Sequence, residues 1–331
     1  MEFSEIPGTG IEVSRVGLGT WAIGGWMWGG TDEDESVRTI HAALAKGINL
    51  IDTAPVYGFG RSEEIVGRAV AEWGDRDQVV LATKTALEWD RDENVRRNAD
   101  ASRIRQEVED SLRRLRTDYI DLYQVHWPDP AVAPERVGET MYRLMEEGKI
   151  RAIGVSNFSP AQMDAFRREA PLHMDQPPYN LFEREIEADV LPYCRENVIG
   201  LITYGGLCRG LLSGKMGPDT AFQGDDLRNV DPKFQAPRYG QYLAAVERLD
   251  AFAQERYGVR VLELAVRWLL DQPGVTTALW GGRRPDQHER LDGVFGWSLT
   301  DEDCREIDGI LAETITDPVG PEFMAPPSRQ D

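Results

Sequence analysis

Eight short apolar runs recur along this chain with amphipathic helical patterns between them, and that alternation restricts the fold more than any other feature. The runs are VGLG from Val16, NLID from Asn49, VVLATK from Val79, IDLYQV from Ile120, AIGVS from Ala152, LHMDQ from Leu172, IGLITY from Ile199 and TTALW from Thr276. Between them Val37, Ile40 and Leu44, then Ile104, Val108, Leu112 and Leu115, then Val137, Met141, Leu144 and Met145 are spaced to lay one apolar stripe along a helix. Pro134 suits the first turn of the third of these helices. Further helical patterns cover Glu63 to Glu72, Pro160 to Arg167, Glu185 to Asn197, Tyr239 to Arg256, Leu262 to Leu270 and Asp286 to Val294. Strand and helix in regular succession predict a parallel sheet with crossover helices, and eight such units favour closure into an α/β (β/α)8 TIM barrel over an open doubly wound sheet. The opening FSEIPGTGIEVSRVG reads as a β-hairpin around Gly8 to Gly10 that plugs the lower end, and Thr300 to Thr314 as a last helix before a C-terminal extension. No Pro-, Gly- or Ser-rich linker divides the chain, so residues 1–331 are expected to form one barrel domain.

Charge narrows the partners. With 37 Lys plus Arg against 57 Asp plus Glu, the formal charge is −20, and no basic run offers phosphates a local exception. That argues against nucleic acid and anionic membrane surfaces as partners. No stretch has the ~18 apolar residues a spanning helix needs, and MEFSEIPGTG does not read as a signal peptide, so a cytoplasmic protein is expected. Cys194, Cys208 and Cys304 form no C-x-x-C pair, which suggests neither a disulfide framework nor a zinc site, and no bound metal is expected.

Two motifs mislead. Gly17, Gly19 and Ala22 match the dinucleotide fingerprint G-x-G-x-x-[GA], but that reading needs a helix at once, and Gly24, Gly25, Gly29 and Gly30 follow. GLLSGKM around Lys215 resembles a Walker loop with its first glycine too close and no Ser or Thr after the lysine. No H-E-x-x-H, G-x-S-x-G or metal-spaced carboxylate cluster is present.

In a (β/α) barrel the C-terminal strand ends converge on one face, and four reactive residues fall there. Asp52 closes the second run, Tyr57 follows it in DTAPVYG, Lys84 closes the third, and His126 follows the fourth. Lysine is scarce, five against 32 arginines, so its position carries weight. A lysine ammonium in a low-dielectric cleft favours a phenolate, so Lys84 is expected to lower the pKa of Tyr57 and make it a general acid. Asp52 would hold the ammonium, and His126 would orient a substrate carbonyl. Taken singly, Asp52 could cap a turn, Tyr57 could be a packed aromatic, Lys84 a surface cation and His126 a core imidazole. Their coincidence on successive strand ends favours chemistry.

These residues resemble the aldo-keto reductase superfamily. GINLIDTAPVYG from Gly47 to Gly58 matches its pattern G-[IL]-x-x-[IF]-D-T-A-x-x-Y-G, and LATK, DYIDLYQVHWPDP, GKIRAIGVSNF, QPPYNLFER and GLLSGK are similar to its other landmarks. Within it, TYGGLCRG, DDLRNVDPKF and TDPVGPEFMAPP look most like a bacterial general-stress group that uses NADPH. The resemblance implies NADPH-dependent reduction of aldehydes and some ketones, with a role in stress-related carbonyl detoxification and Asp52, Tyr57, Lys84 and His126 as the catalytic tetrad. It further implies that Asp52, Thr20 and Trp21 lie near the nicotinamide ribose, that Ser156, Asn157 and Gln176 bond the carboxamide, and that Tyr204 stacks on the ring. Gly205, Gly206, Leu207, Cys208 and Arg209, with Lys215 and Arg228, resemble the loop over the pyrophosphate. Gly281, Gly282, Arg283, Arg284 and Gln287 resemble the 2′-phosphate site at a helix N-terminus. Two departures stand out: Gly205 and Gly206 replace the usual Ser-Pro or Ser-Arg, and Arg290 and Leu291 replace a late Glu-Asn pair. Trp21, Trp89 and Trp127 border the expected mouth. A small-molecule carbonyl partner and a monomer or weak homo-oligomer are expected. The alternatives are a cofactor-sensing interaction subunit, as in potassium-channel beta subunits, and a barrel enzyme of unrelated chemistry.

Overall fold

The computed structural model describes residues 1–329. Strands β1 (Phe3–Ile6) and β2 (Ile11–Ser14) pair antiparallel as the opening hairpin. β3 (Val16–Gly19), β4 (Leu50–Asp52) and β5 (Val80–Thr85) follow, then a small antiparallel hairpin of β6 (Leu87–Trp89) and β7 (Val95–Arg97). β8 (Ile120–Val125), β9 (Ile150–Ser156), β10 (Met174–Gln176), β11 (Gly200–Thr203) and β12 (Val275–Gly281) complete the set. β3, β4, β5 and β8 to β12 form a closed parallel barrel in which β12 returns to β3, so the expected α/β TIM barrel is the fold. The helices are α1 (Trp21–Gly24), α2 (Glu33–Ala45), α3 (Arg61–Trp73), α4 (Ala101–Leu115), α5 (Pro134–Glu146), α6 (Pro160–Phe166), α7 (Val190–Glu196), α8 (Arg238–Tyr257), α9 (Val261–Asp271) and α10 (Asp301–Thr314).

Each barrel strand alternates between two cores. Leu50, Val80, Ala82, Leu122, Ala152, Met174, Ile202 and Leu279 fill the interior, joined by Ile6, Ile11 and Val13 of the first hairpin, which is how that hairpin closes the lower end. Their neighbours Ile51, Leu81, Tyr123, Ile153, Val155 and Leu201 face the helices.

Four local features differ from the sequence expectation. The pattern from Glu185 to Asn197 divides into a 3₁₀ turn, Glu185–Glu187, and α7, because Pro192 has no N–H and is tolerated only in a first turn, where Asp189 caps the Val190 N–H at 2.6 Å. The pattern from Asp286 winds as a 3₁₀ helix, Pro285–Val294. One helical turn does open after β3, closed by Gly25 in the left-handed region, but its strand belongs to the closed barrel, and among the described residues there is no open dinucleotide-binding βαβ sheet. The β6–β7 hairpin lies in a stretch for which the sequence gives no strand signal, its strands too short to show an alternating pattern. Among the described residues no helix is long and apolar enough to cross a membrane, and no His, Cys, Asp and Glu side chains cluster as a metal site.

Asp175 is the anomaly of the outer core. Alternation turns it away from the inward Met174 and Gln176, and neither carboxyl oxygen has a hydrogen-bond partner. Burial pushes its carboxyl well above the usual range, and the Gln176 backbone N–H, near the carboxyl but outside hydrogen-bond geometry, opposes this only in part. The unfolded chain ionises near pH ~4 whereas the folded chain keeps the proton, so this group's stability contribution is full below about pH 4 and is lost as pH rises through its folded value. Asp175→Asn is therefore expected to raise the urea midpoint at pH 8 and to match the wild type below about pH 4. A lower midpoint at pH 8 would contradict this account.

Candidate active site

The alternation that packs the barrel interior places Asp52 and Lys84 inward, one layer above Leu50 and Ala82. Lys84 is fully buried, its Nζ donating to Asp52 Oδ2 at 2.6 Å, Thr53 O at 3.1 Å and the Tyr57 hydroxyl at 3.3 Å. The His126 ring stands edge-on to Tyr57, centroids 5.8 Å apart, and the Trp21 ring stacks on Tyr57 at 5.9 Å. The structure thus brings Asp52, Tyr57, Lys84 and His126 together. The loop holding Tyr57 and the turn holding Trp21 meet at Gly24 and Gly58, where a Cβ on Gly24 would lie 2.5 Å from the Tyr57 carbonyl.

Burial governs the proton affinities here. The Tyr57 phenol is pushed well above its ordinary value by burial and then by the Asp52 carboxylate, which reverses the expectation that Lys84 would lower it. The reversal has a physical cause: the ammonium is already bonded to Asp52, so the phenol meets a compensated pair rather than an open cation. Lys84 is lowered by burial, partly offset by Asp52 and then Glu63. His126 is held well below its usual value by burial and then by Lys84, so it stands neutral. The arrangement is a neutral phenol with its proton in place beside an ammonium that can stabilise the phenolate left when that proton departs.

Further polar groups complete the shell. Gln124 and Gln176 each donate to Asp52 Oδ1, at 3.1 and 2.9 Å, and Gln176 donates to Gln124 Oε1 at 3.1 Å. Gln124 is not among the residues the sequence singled out, yet a glutamine inside the apolar run IDLYQV was the available signal. It fits because its neighbour on β9 is Gly154. Asn157, at φ +62°, donates to His126 O and Ser156 Oγ at 3.0 Å each and accepts from the Tyr204 hydroxyl at 2.9 Å. Ser156 donates to Gln176 O at 2.6 Å. Thr20 donates its hydroxyl to Asp52 O at 2.9 Å.

Around the mouth a second group gathers. Arg228 pairs with Asp226 and lies 5.3 Å from the Trp28 ring centroid, while Arg283 donates to Trp28 O at 2.6 Å. Gln287 Oε1 accepts from the backbone N–H groups of Arg283 and Arg284 at 2.7 and 2.9 Å. Arg283 is lowered by burial and by the neighbouring Arg228, opposed in part by Asp226. In a chain of charge −20 these guanidiniums concentrate positive charge at one rim, the chemistry an anion needs. The indole N–H groups of Trp21 and Trp28 are buried without partners beside it. These residues fit a dinucleotide phosphate. Lys215 and Arg284 are exposed, as is Gly281, while Gly282 is buried. In the segment Gly205, Gly206, Leu207, Cys208, Arg209, the last side chain turns inward: Arg209 is buried in ion pairs with Glu183 at 2.5 Å and Asp231 at 2.6 Å. Its guanidinium is committed to carboxylates, where the resemblance implied a place over a pyrophosphate.

The model for the aldo/keto reductase family matches residues 15–312. The chain is 63% identical over 331 residues to the aldo-keto reductase YhdN of Bacillus subtilis, covering 100% of both chains. It is 36% identical over 310 residues to an NADH-specific methylglyoxal reductase of Escherichia coli, covering 89% of this chain and 94% of that one. The structure of the glycerol dehydrogenase AKR11B4 from Gluconobacter oxydans superposes with a TM-score of 0.88 at 56% identity, over 98% of this chain and 99% of that one.

The site's packing is directly testable at Gly154. A Cβ there would lie 2.8 Å from Gln124 Cγ and 3.3 Å from both Leu122 Cδ1 and Met174 O. Gly154→Ala is expected to lower unfolding free energy by about 1–3 kcal/mol in urea titration.

Proposed function

The chain belongs to the aldo/keto reductase family, and on that premise we propose that it reduces aldehydes and some ketones to alcohols with NADPH, Tyr57 donating the proton. The observation that carries this reading is the buried Lys84 ammonium, fixed by Asp52 and 3.3 Å from the Tyr57 hydroxyl. When bound, the reduced nicotinamide supplies the hydride. Tyr57 gives its proton to the substrate oxygen, Lys84 stabilises the phenolate that remains, Asp52 holds Lys84, and the neutral His126 orients the carbonyl.

Ser156, Asn157, Gln176 and Tyr204 would hold the nicotinamide end, with Asp52, Thr20 and Trp21 beside its ribose. Backbone groups of Gly205 to Arg209, together with Lys215 and Arg228, would meet the pyrophosphate, and Gly281 to Arg284 with Gln287 the 2′-phosphate. The preference for NADPH is supported by the concentration of Arg228, Arg283 and Arg284 at one rim. Two similar proteins bear the names glycerol dehydrogenase and methylglyoxal reductase, which supports small oxygenated carbonyl compounds as the first substrates to try. A cytoplasmic location and a part in stress-related carbonyl removal complete the proposal.

Tyr57→Phe is expected to lower kcat by roughly 10²-fold or more in NADPH-oxidation assays while leaving NADPH affinity by fluorescence titration nearly unchanged. Loss of cofactor binding in that variant would overturn the assigned role. Arg284→Ala is expected to weaken NADPH binding roughly ten-fold with little effect on NADH. An unchanged ratio of the two affinities would remove Arg284 from the site.

A further inference from the structure

Glu63 lies in the first turn of α3, outside the barrel, and is fully buried. Its Oε1 accepts the Thr83 hydroxyl at 2.6 Å and its Oε2 accepts Arg114 Nε of α4 at 2.6 Å. Thr83 is the residue before Lys84 on β5, so this carboxylate grips from behind the strand that presents the ammonium to Tyr57. The adjacent Ser62 hydroxyl lies 2.8 Å from Thr20 Oγ1 and 2.9 Å from Thr53 Oγ1, so the same helical turn ties the ends of β3, β4 and β5. A buried ion pair is a poor device for stability alone, because apolar side chains of similar volume commonly serve as well or better. Here it sits directly behind a buried cation.

We propose that Glu63 is a positioning residue for the reaction: through Thr83 it fixes the strand carrying Lys84, and with Asp52 it supplies the negative charge that the ammonium faces. The proposal rests on the proton-transfer role given to Tyr57 and Lys84 above. Lys84 faces Asp52 on β4, Tyr57 and His126 at the strand ends, and Glu63 behind. Glu63 in turn faces Arg114, and Tyr123 on β8 feels both Glu63 and Glu107, the latter paired with Arg103. Burial weakens the hold of Lys84 on its proton, and the two carboxylates oppose that loss, Asp52 first and Glu63 next. An amine that had lost its proton would leave the Tyr57 phenolate uncompensated.

The test is an NMR titration of the lysine amino groups in protein carrying 15N-lysine, in which only Lys46, Lys84, Lys149, Lys215 and Lys233 contribute and Lys84→Met assigns the signal. Glu63→Gln keeps an acceptor for Thr83 and removes the charge, and Lys84 is expected to bind its proton roughly ten-fold more weakly, titrating about one pH lower. The alkaline limb of kcat/KM moves with it. Thr83→Val keeps the charge and lowers kcat without moving the titration. A Lys84 titration unmoved in Glu63→Gln, with only thermal stability reduced, would overturn the proposal. Should Glu63→Gln not fold, the double variant Glu63→Gln/Arg114→Gln leaves no unpaired charge in its place and must move Lys84 in the same direction by less; no movement is again a refutation. Failure of the wild type to oxidise NADPH with any carbonyl would sink the functional reading, while the NMR titration still decides the role of Glu63.

Discussion

An ammonium taken out of water must be repaid in charge and hydrogen bonds, and Lys84 is the point at which this barrel meets that demand. Asp52, the Thr53 carbonyl and Tyr57 surround its Nζ, Gln124 and Gln176 hold the second oxygen of Asp52, and Glu63 stands behind the strand. Breaking one partner of such a pair strands a buried charge, a penalty of about 3–5 kcal/mol, whereas the pair itself adds little to stability. The network is therefore better understood as an investment in geometry: it sets one orientation for the phenol and keeps its proton in place.

Around that centre the loops are tied to one another. Asp225 accepts the backbone N–H groups of Met27 and Gly29 at 2.7 and 3.1 Å, and the Leu227 N–H returns to Met27 O at 2.9 Å. Arg283 reaches Trp28 O from the far side. Segments following β3, β11 and β12 thus converge where the guanidiniums gather. A strongly acidic chain that must hold a polyanion needs this kind of local reversal of charge, and the latch places it at one rim.

Beneath the same loops lies a compensated cluster. Arg209 and Lys233 share Glu183, Arg209 also meets Asp231, and Lys233 donates to Gly320 O at 3.1 Å, all four charged side chains being buried. It pins the segment after β11 to the barrel and to the C-terminal tail. This explains why Arg209, so plausible as a phosphate ligand from its position in the sequence, is spent on structure, while Arg228 and Arg283 remain at the rim.

The periodic pattern by itself determined where the eight barrel strands lie, because apolar runs and helical stripes are local properties; which strand residues face the barrel interior was shown by the closed fold. Asp52, Tyr57, Lys84 and His126 were legible for the same reason: parallel strand ends share one face. The proton affinity of Tyr57, the inward turn of Arg209, and the parts played by Gln124 and Glu63 were decided only by closure of the barrel. Gln124 and Gln176 meet Asp52 across 72 and 124 residues of chain, and Glu63 meets Arg114 across 51. Burial and charge pairing depend on which side chains the closed fold sets face to face, and no local pattern encodes that.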